Sequence, residues 1–195
     1  MTKPPDVTRR SERSRRAILD SALDLVTAVG YGKVTIEAIA ARAGVGKQTI
    51  YRWWPSKGAV VFDAFLALNE GDTGLALPDS GDLDADLRAL LKATFDDLVD
   101  PRFEPTYRAL HAEIQHNAAL ATDLVERLLG PLLRSTEDRL RSAQRAGQLA
   151  PDVDLRVAVE LLYGPVFHRW LLRTGPLTSE YADTVVALVL RALRP

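Results

Sequence analysis

The stretch VTIEAIAARAGVGKQTIYRWWPSKGAVVFDAF, residues 34–65, decides the fold. Thr35 is a good N-cap, because its hydroxyl can accept an amide of the first helical turn. Ile36, Ile39 and Ala40 follow at helical spacing, and the short helix they predict ends near Ala43–Gly44. After the tight Ala43-Gly44-Val45-Gly46 connection, a second short helix is expected from about Lys47 to Trp54, where Pro55 breaks it. Ser56 caps a longer helix from Lys57 to about Asn69, with Val61, Phe62, Phe65 and Leu68 apolar. A supporting helix, a three- to four-residue turn with glycine and a second helix make a helix-turn-helix. Upstream, Ile18, Ala22, Leu25, Val26 and Val29 line one helical face, and Gly30 stops that helix.

The second helix carries the chemistry. Ile50 and Trp54, four apart, can face the supporting helix, which leaves Lys47, Gln48, Tyr51 and Arg52 pointing out. Gln and Arg can bond the adenine and guanine edges in a major groove, Thr49 can meet a thymine methyl, and Lys and Tyr can hold phosphate. Lys33 and Lys57 flank the unit, and Thr35 at a helix N-terminus offers amides and a hydroxyl to a phosphate. Trp54 reads as core, whereas Trp53 stays open between core and another role. GVGK is not a phosphate loop: GxxxxGK[ST] needs glycine where Ala41 stands and Ser or Thr where Gln48 stands.

Charge supports a nucleic-acid partner. Residues 1–60 hold 11 basic and 5 acidic residues, a net +6, and the remaining 135 hold 14 and 21, a net −7. The Arg9–Arg16 arm adds basic charge that can serve phosphate or a minor groove, or stay solvated as a frayed terminus. With 47% hydrophobic residues the 195-residue chain can bury a core, which excludes wholesale disorder. It has no cysteine, which excludes disulfides and thiolate metal sites and suits a reducing, cytoplasmic setting. The N-terminal residues lack the apolar segment of a secretory signal. The longest nearly apolar run, Val157–Leu172, carries Glu160, His168 and Arg169 and is too short and charged to span a bilayer.

From Ile18 to Phe65 the chain resembles the DNA-binding domain of TetR-family transcriptional regulators. The Gly-Val turn, the Tyr51–Trp54 block and Pro55-Ser56-Lys57 carry the likeness, over about a quarter of the chain. The resemblance implies an all-α fold. A three-helix, helix-turn-helix DNA-binding domain, here residues 1–60 with the basic arm, precedes a larger helical effector-binding and dimerisation domain, residues 61–195. Carried over by position, it implies phosphate contacts for Tyr51 and Lys57. It implies base reading for Lys47, Gln48, Thr49 and Arg52, and packing of Trp53 on the sugar–phosphate backbone. One departure stands out: Gly46 occupies a position where many relatives have a capping Ser or Thr. Glycine is an adequate cap, at a cost of only a few tenths of a kcal/mol.

The rest of the sequence is less specific. A Gly/Pro-rich loop, residues 71–82, separates the head from longer helices expected at about 83–100, 105–117, 121–146, 153–174 and 178–194. Gly130-Pro131 and Gly164-Pro165 lie inside helical stretches and should kink or interrupt them, as simple breaks or as room for a ligand. The last two helices present apolar surface on more than one side, with Tyr181, Val185, Leu188, Val189 and Ala192 aligned on the final one. A two-fold interface would bury it, so a homodimer through the last two helices is expected. Phe95, Phe103, Tyr107, His111, Tyr163 and Phe167 are the candidates to line an effector pocket; ordinary core packing is the plain alternative for each. His111 and His116 diverge by about 140° round a helix, so no metal site is expected. No nucleophile–base pair or cofactor motif is evident.

These features predict a dimeric DNA-binding regulator, not an enzyme. It would be a repressor released from a palindromic operator by a small, largely apolar effector. The alternative is a small-molecule-binding or catalytic helical protein without specific DNA binding.

Overall fold

Thr35 does cap a helix: its Oγ1 accepts the Ala38 amide at 3.1 Å. The helix it opens ends at Gly44, whose φ of +67° is left-handed. There the Gly44 amide donates to the Ala41 carbonyl at 3.3 Å and the Val45 amide to the Ala40 carbonyl at 3.0 Å. This pair of bonds is a Schellman ending, and a side chain at residue 44 would be strained in that conformation.

The computed structural model describes residues 7–68 and 77–195, and only the backbone of residues 7–10. All regular structure among them is helical. In chain order the helices are α1 (Val7–Val29), a 3-10 turn (Tyr31–Lys33), α2 (Ile36–Ala43), α3 (Lys47–Tyr51) and α4 (Lys57–Leu68). They continue with α5 (Leu83–Val99), α6 (Glu104–Glu113), α7 (Ala118–Leu124) and a π-helical turn (Val125–Leu129). α8 (Gly130–Arg145), α9 (Leu155–Leu172) and α10 (Ser179–Ala192) complete the chain. Asn69 and residues 71–76 of the expected loop lie outside the described residues.

Packing divides the chain into two units. The first comprises the described part of residues 1–73 together with Pro101–Leu124; the second comprises the described part of 74–100 together with Val125–Pro195. The boundary expected at 60/61 falls inside α4, which packs on α1, α6 and α7 within the first unit.

In the first unit α4 is the centre. Val60, Val61, Phe62, Ala64 and Phe65 are buried, each large side chain contributing about 1.5–3 kcal/mol of hydrophobic stabilisation. Phe65 stacks on Tyr107 of α6, with centroids 5.5 Å apart. Gly58 allows α7 its close approach: a Cβ there would fall 2.9 Å from Leu120 Cδ2 and 3.3 Å from Glu113 Cγ.

In the second unit α5 packs on α10 and α8, and α9 on both α8 and α10. Its core includes Leu87, Leu91, Leu140, Leu162 and Val166. A buried ion pair joins α5 to α8: Arg139 Nε donates to Asp86 Oδ2 at 2.7 Å, and both side chains are only 3% exposed. Ser80 adds a hydroxyl donor to Asp86 Oδ1 at 2.7 Å.

The structure sharpens the expectations for the long helices and the basic arm. The 121–146 helix is α7, a π turn and α8. The interruption expected at Gly130-Pro131 is present: the π turn ends at Leu129 and Pro131 stands in the first turn of α8, where no amide is required. Pro165 does not interrupt α9, which runs on to Leu172. The basic arm is not frayed: its Arg9–Arg16 backbone belongs to α1.

Candidate nucleic-acid interface

The recognition segment is short. α3 is five residues long, and Arg52 and Trp53 form a turn after it. Gly46 precedes it in extended conformation without a side-chain cap. Ile50 is fully buried and Trp54 nearly so, its indole Nε1 donating to Asp63 Oδ2 at 2.8 Å. These two anchors fix the rotation of the helix. They leave Lys47, Gln48, Tyr51 and Arg52 exposed and Thr49 half-buried, and together the five present cations, amide, phenol and hydroxyl.

The remaining head candidates have local partners. Lys33 and Thr35 are exposed, and the Thr35 oxygen is engaged in its cap. Lys57 is half-buried: its ammonium donates to the Tyr31 carbonyl at 3.0 Å and lies 4.1 Å from the Tyr31 ring centroid. Two further N–H bonds of that ammonium can still serve phosphate. Trp53 is half-buried and tilted on Trp54, centroids 5.3 Å apart, at a shallow cleft with Glu12, Arg15 and Asp63. Arg15 reaches Asp63 at 3.6 Å, and Arg16 pairs with Asp20 at 3.0 Å.

Sequence reasoning missed two residues here. Glu37 of α2 reaches Lys47 of α3, with Lys47 Nζ 3.6 Å from Glu37 Oε1. The signal was an acid in the middle of a basic head. Tyr31, in a 3-10 turn too short for periodicity to show, supports Lys57. Burial, with the Glu113 carboxylate adding to it, pushes the Tyr31 phenol well above its ordinary range.

The six aromatic candidates fall in different units. In the first, Phe103 and Tyr107 are buried, and Tyr107 meets His111 edge-on at 4.3 Å. The His111 Nδ1 lies 2.9 Å from the Tyr107 carbonyl, and burial lowers the pKa of the ring. In the second, Phe95 stacks on Tyr181 at 6.1 Å and Phe167 meets Trp170 edge-on at 6.3 Å. Tyr163 is buried, shares a hydrogen bond with Thr136 at 3.1 Å, and is pushed up to about 12 by burial. The structure thus gives each of the six a place in a core or at its margin.

The second unit also has an unusual surface. Val157, Leu161, Leu171 and Leu172 of α9 and Leu188 of α10 are all exposed, Leu188 at 56%. Leu161, Pro165, Tyr181, Val185 and Leu188 line a shallow apolar concavity between the two helices. Among the described residues, no helix is long and apolar enough to cross a membrane.

Comparison with known proteins agrees with this geometry. Residues 18–64 match the family model for bacterial regulatory proteins of the tetR family, and residues 77–189 match the tetracyclin repressor-like C-terminal domain. The chain is 32% identical to the HTH-type transcriptional regulator YdeS of Bacillus subtilis over 91% of its own length and 88% of that protein. It is 27% identical to the DNA-binding transcriptional repressor TetR of Mycobacteroides abscessus, covering 94% of this chain and 95% of the other. The crystal structure of the TetR-family regulator SCO0332 superposes with a TM-score of 0.71 at 34% identity, covering 93% and 99% of the two chains.

Proposed function

This chain belongs to the TetR family of bacterial transcriptional regulators, with a helix-turn-helix DNA-binding domain and a ligand-binding C-terminal domain, and from that premise we propose that it is a homodimeric repressor. It is a regulator, not an enzyme. Residues 1–60 form its DNA-binding domain and residues 61–195 its effector-binding and dimerisation domain. The protein works in the cytoplasm, where its operator lies.

The observation that carries this reading is the anchoring of α3. Ile50 and Trp54 are buried, while Lys47, Gln48, Tyr51 and Arg52 stand in solvent. We assign Lys47, Gln48, Thr49 and Arg52 to base edges and Lys33, Thr35, Tyr51, Trp53 and Lys57 to the DNA backbone. One five-residue helix reads few base pairs. Two copies related by a dyad, with reading helices about 34 Å apart, read a palindrome.

The exposed leucines of α9 and α10 support the dimer. Leu161 and Leu188 line one apolar concavity, and a two-fold axis would bury it against its own copy. A small, largely apolar effector would act on the C-terminal domain. Phe95, Phe103, Tyr107, His111, Tyr163 and Phe167 are the side chains proposed as candidates to bind it, each considered within its own unit. The effector must prefer the conformation with wrongly spaced heads. Coupling of about 1–3 kcal/mol weakens operator binding roughly 5- to 150-fold. Nearly complete switching needs about 5.5 kcal/mol of differential affinity.

The test is direct. Labelled duplexes from beside the chain's own gene are titrated with the protein at two salt concentrations. Sequence-selective binding with a steep salt slope supports the reading. Weak binding, equal for all sequences, rules it out.

A further inference from the structure

We infer that Glu37, paired with Lys47, is a specificity-determining residue that selects a G·C base pair in each half-site. The inference rests on the proposed entry of α3 into the major groove. Glu37 lies in the first turn of α2 and Lys47 is the first residue of α3. Their charged ends are 3.6 Å apart, and the side chains are 65% and 56% exposed.

Stability does not explain the placement, because an ion pair this exposed contributes little. A first-turn acid does favour the α2 dipole, but that role needs no lysine beside it. On a DNA-facing edge a carboxylate repels phosphate, so it belongs there only if it meets a donor. In the major groove cytosine N4 is such a donor, and guanine O6 and N7 are the acceptors a lysine takes.

The order of groups decides between base pairs. Across a G·C pair the major groove presents acceptor, acceptor, donor: guanine N7, guanine O6, cytosine N4. An ammonium beside a carboxylate matches that order, the ammonium spanning N7 and O6 and the carboxylate taking N4. An A·T pair presents acceptor, donor, acceptor and then a methyl group. A carboxylate on its central donor would sit between two acceptors and be repelled by both.

The test selects duplexes from a random-core library with the full-length protein, followed by sequencing. It compares the wild type with Glu37→Gln and Lys47→Met. Glu37 is exposed, so Glu37→Gln should fold normally, and its circular dichroism and melting curve check this. The expected result is a G·C preference at one position per half-site that Glu37→Gln reduces by roughly 5- to 150-fold or turns toward A·T. Other positions stay unchanged, and Lys47→Met acts at that same base pair. An unaltered consensus overturns the inference. So does a uniform rise in affinity without a change of preference, which would make Glu37 a repulsive charge only. Effects of the two variants at different base pairs also overturn it. If the wild-type protein selects no sequence at all, the proposed function falls first and this inference with it.

Discussion

The two units treat charge in opposite ways. The head buries Ile39, Ile50, Phe62 and Trp54 and leaves Lys47, Gln48 and Arg52 in water. The second unit buries a full ion pair, Asp86–Arg139, and leaves Leu161, Leu172 and Leu188 in water. The head follows the ordinary rule for a soluble domain, and its surface is fitted to a polyanion. The second unit keeps an apolar core of Leu87, Leu91, Leu140, Leu162 and Val166, but it departs from the rule at one buried ion pair and at several exposed leucines. A departure from the expected distribution of polarity is therefore the better pointer to a protein partner, and a concentration of cations the better pointer to a nucleic acid.

The contrast can be broken at its strongest point, the buried pair. Asp86→Ala leaves the Arg139 guanidinium without its main partner and should cost about 3–5 kcal/mol, read by denaturant unfolding. Acid should weaken the same pair. Burial by itself would raise the Asp86 carboxyl, but hydrogen bonds from Ser80 and Arg139 hold it below the ordinary carboxylate range. Its contribution is therefore full above the unfolded-state value of about 3.9 and is lost as pH falls through the lower folded-state value. Stability measured from pH 6 downward should show this loss, and the Asp86→Ala protein should lack that component.

The exposed leucines come next. Leu161→Glu with Leu188→Glu should give a monomer by light scattering and weaken operator binding by about 100-fold or more, with helix content intact. A variant that stays dimeric would show that the apolar face serves another purpose. In the head, Arg52→Ala should cost about 1–3 kcal/mol of discrimination at particular base pairs, measured by competition with altered operators, without moving the melting temperature. The smallest effect belongs to the α2 cap: Thr35→Ala should destabilise the protein by about 1 kcal/mol, read by the same unfolding assay as Asp86→Ala.

The head was legible in sequence because its signals are local. Thr35 caps a helix three residues away, Gly44 ends it, and Ile50 and Trp54 are a single turn apart. The Glu37–Lys47 pair was not legible, since it spans the turn and depends on how α2 and α3 cross. Asp86 and Arg139 are 53 positions apart and look like surface charges on two amphipathic helices. Periodicity did not show the π turn at Val125–Leu129, because Leu124, Leu128 and Leu132 also fit an uninterrupted helical stripe of period four across it. The aromatic candidates remained a set without a site for a similar reason. Phe95, Tyr107 and Tyr163 have the composition of a binding pocket and of a core alike, and only neighbours tell the two apart.

The first unit is assembled from two separate lengths of chain, since Pro101–Leu124 folds back beside α4. This sets a rule for grafting. A chimera that transplants only the residues before the Gly/Pro-rich loop would strip Tyr107 from Phe65 and Leu120 from Gly58, presenting a greasy scar where α6 and α7 had lain. A swap that carries α6 and α7 along with the reading helices keeps those seams closed, so the exchangeable module is discontinuous in the gene.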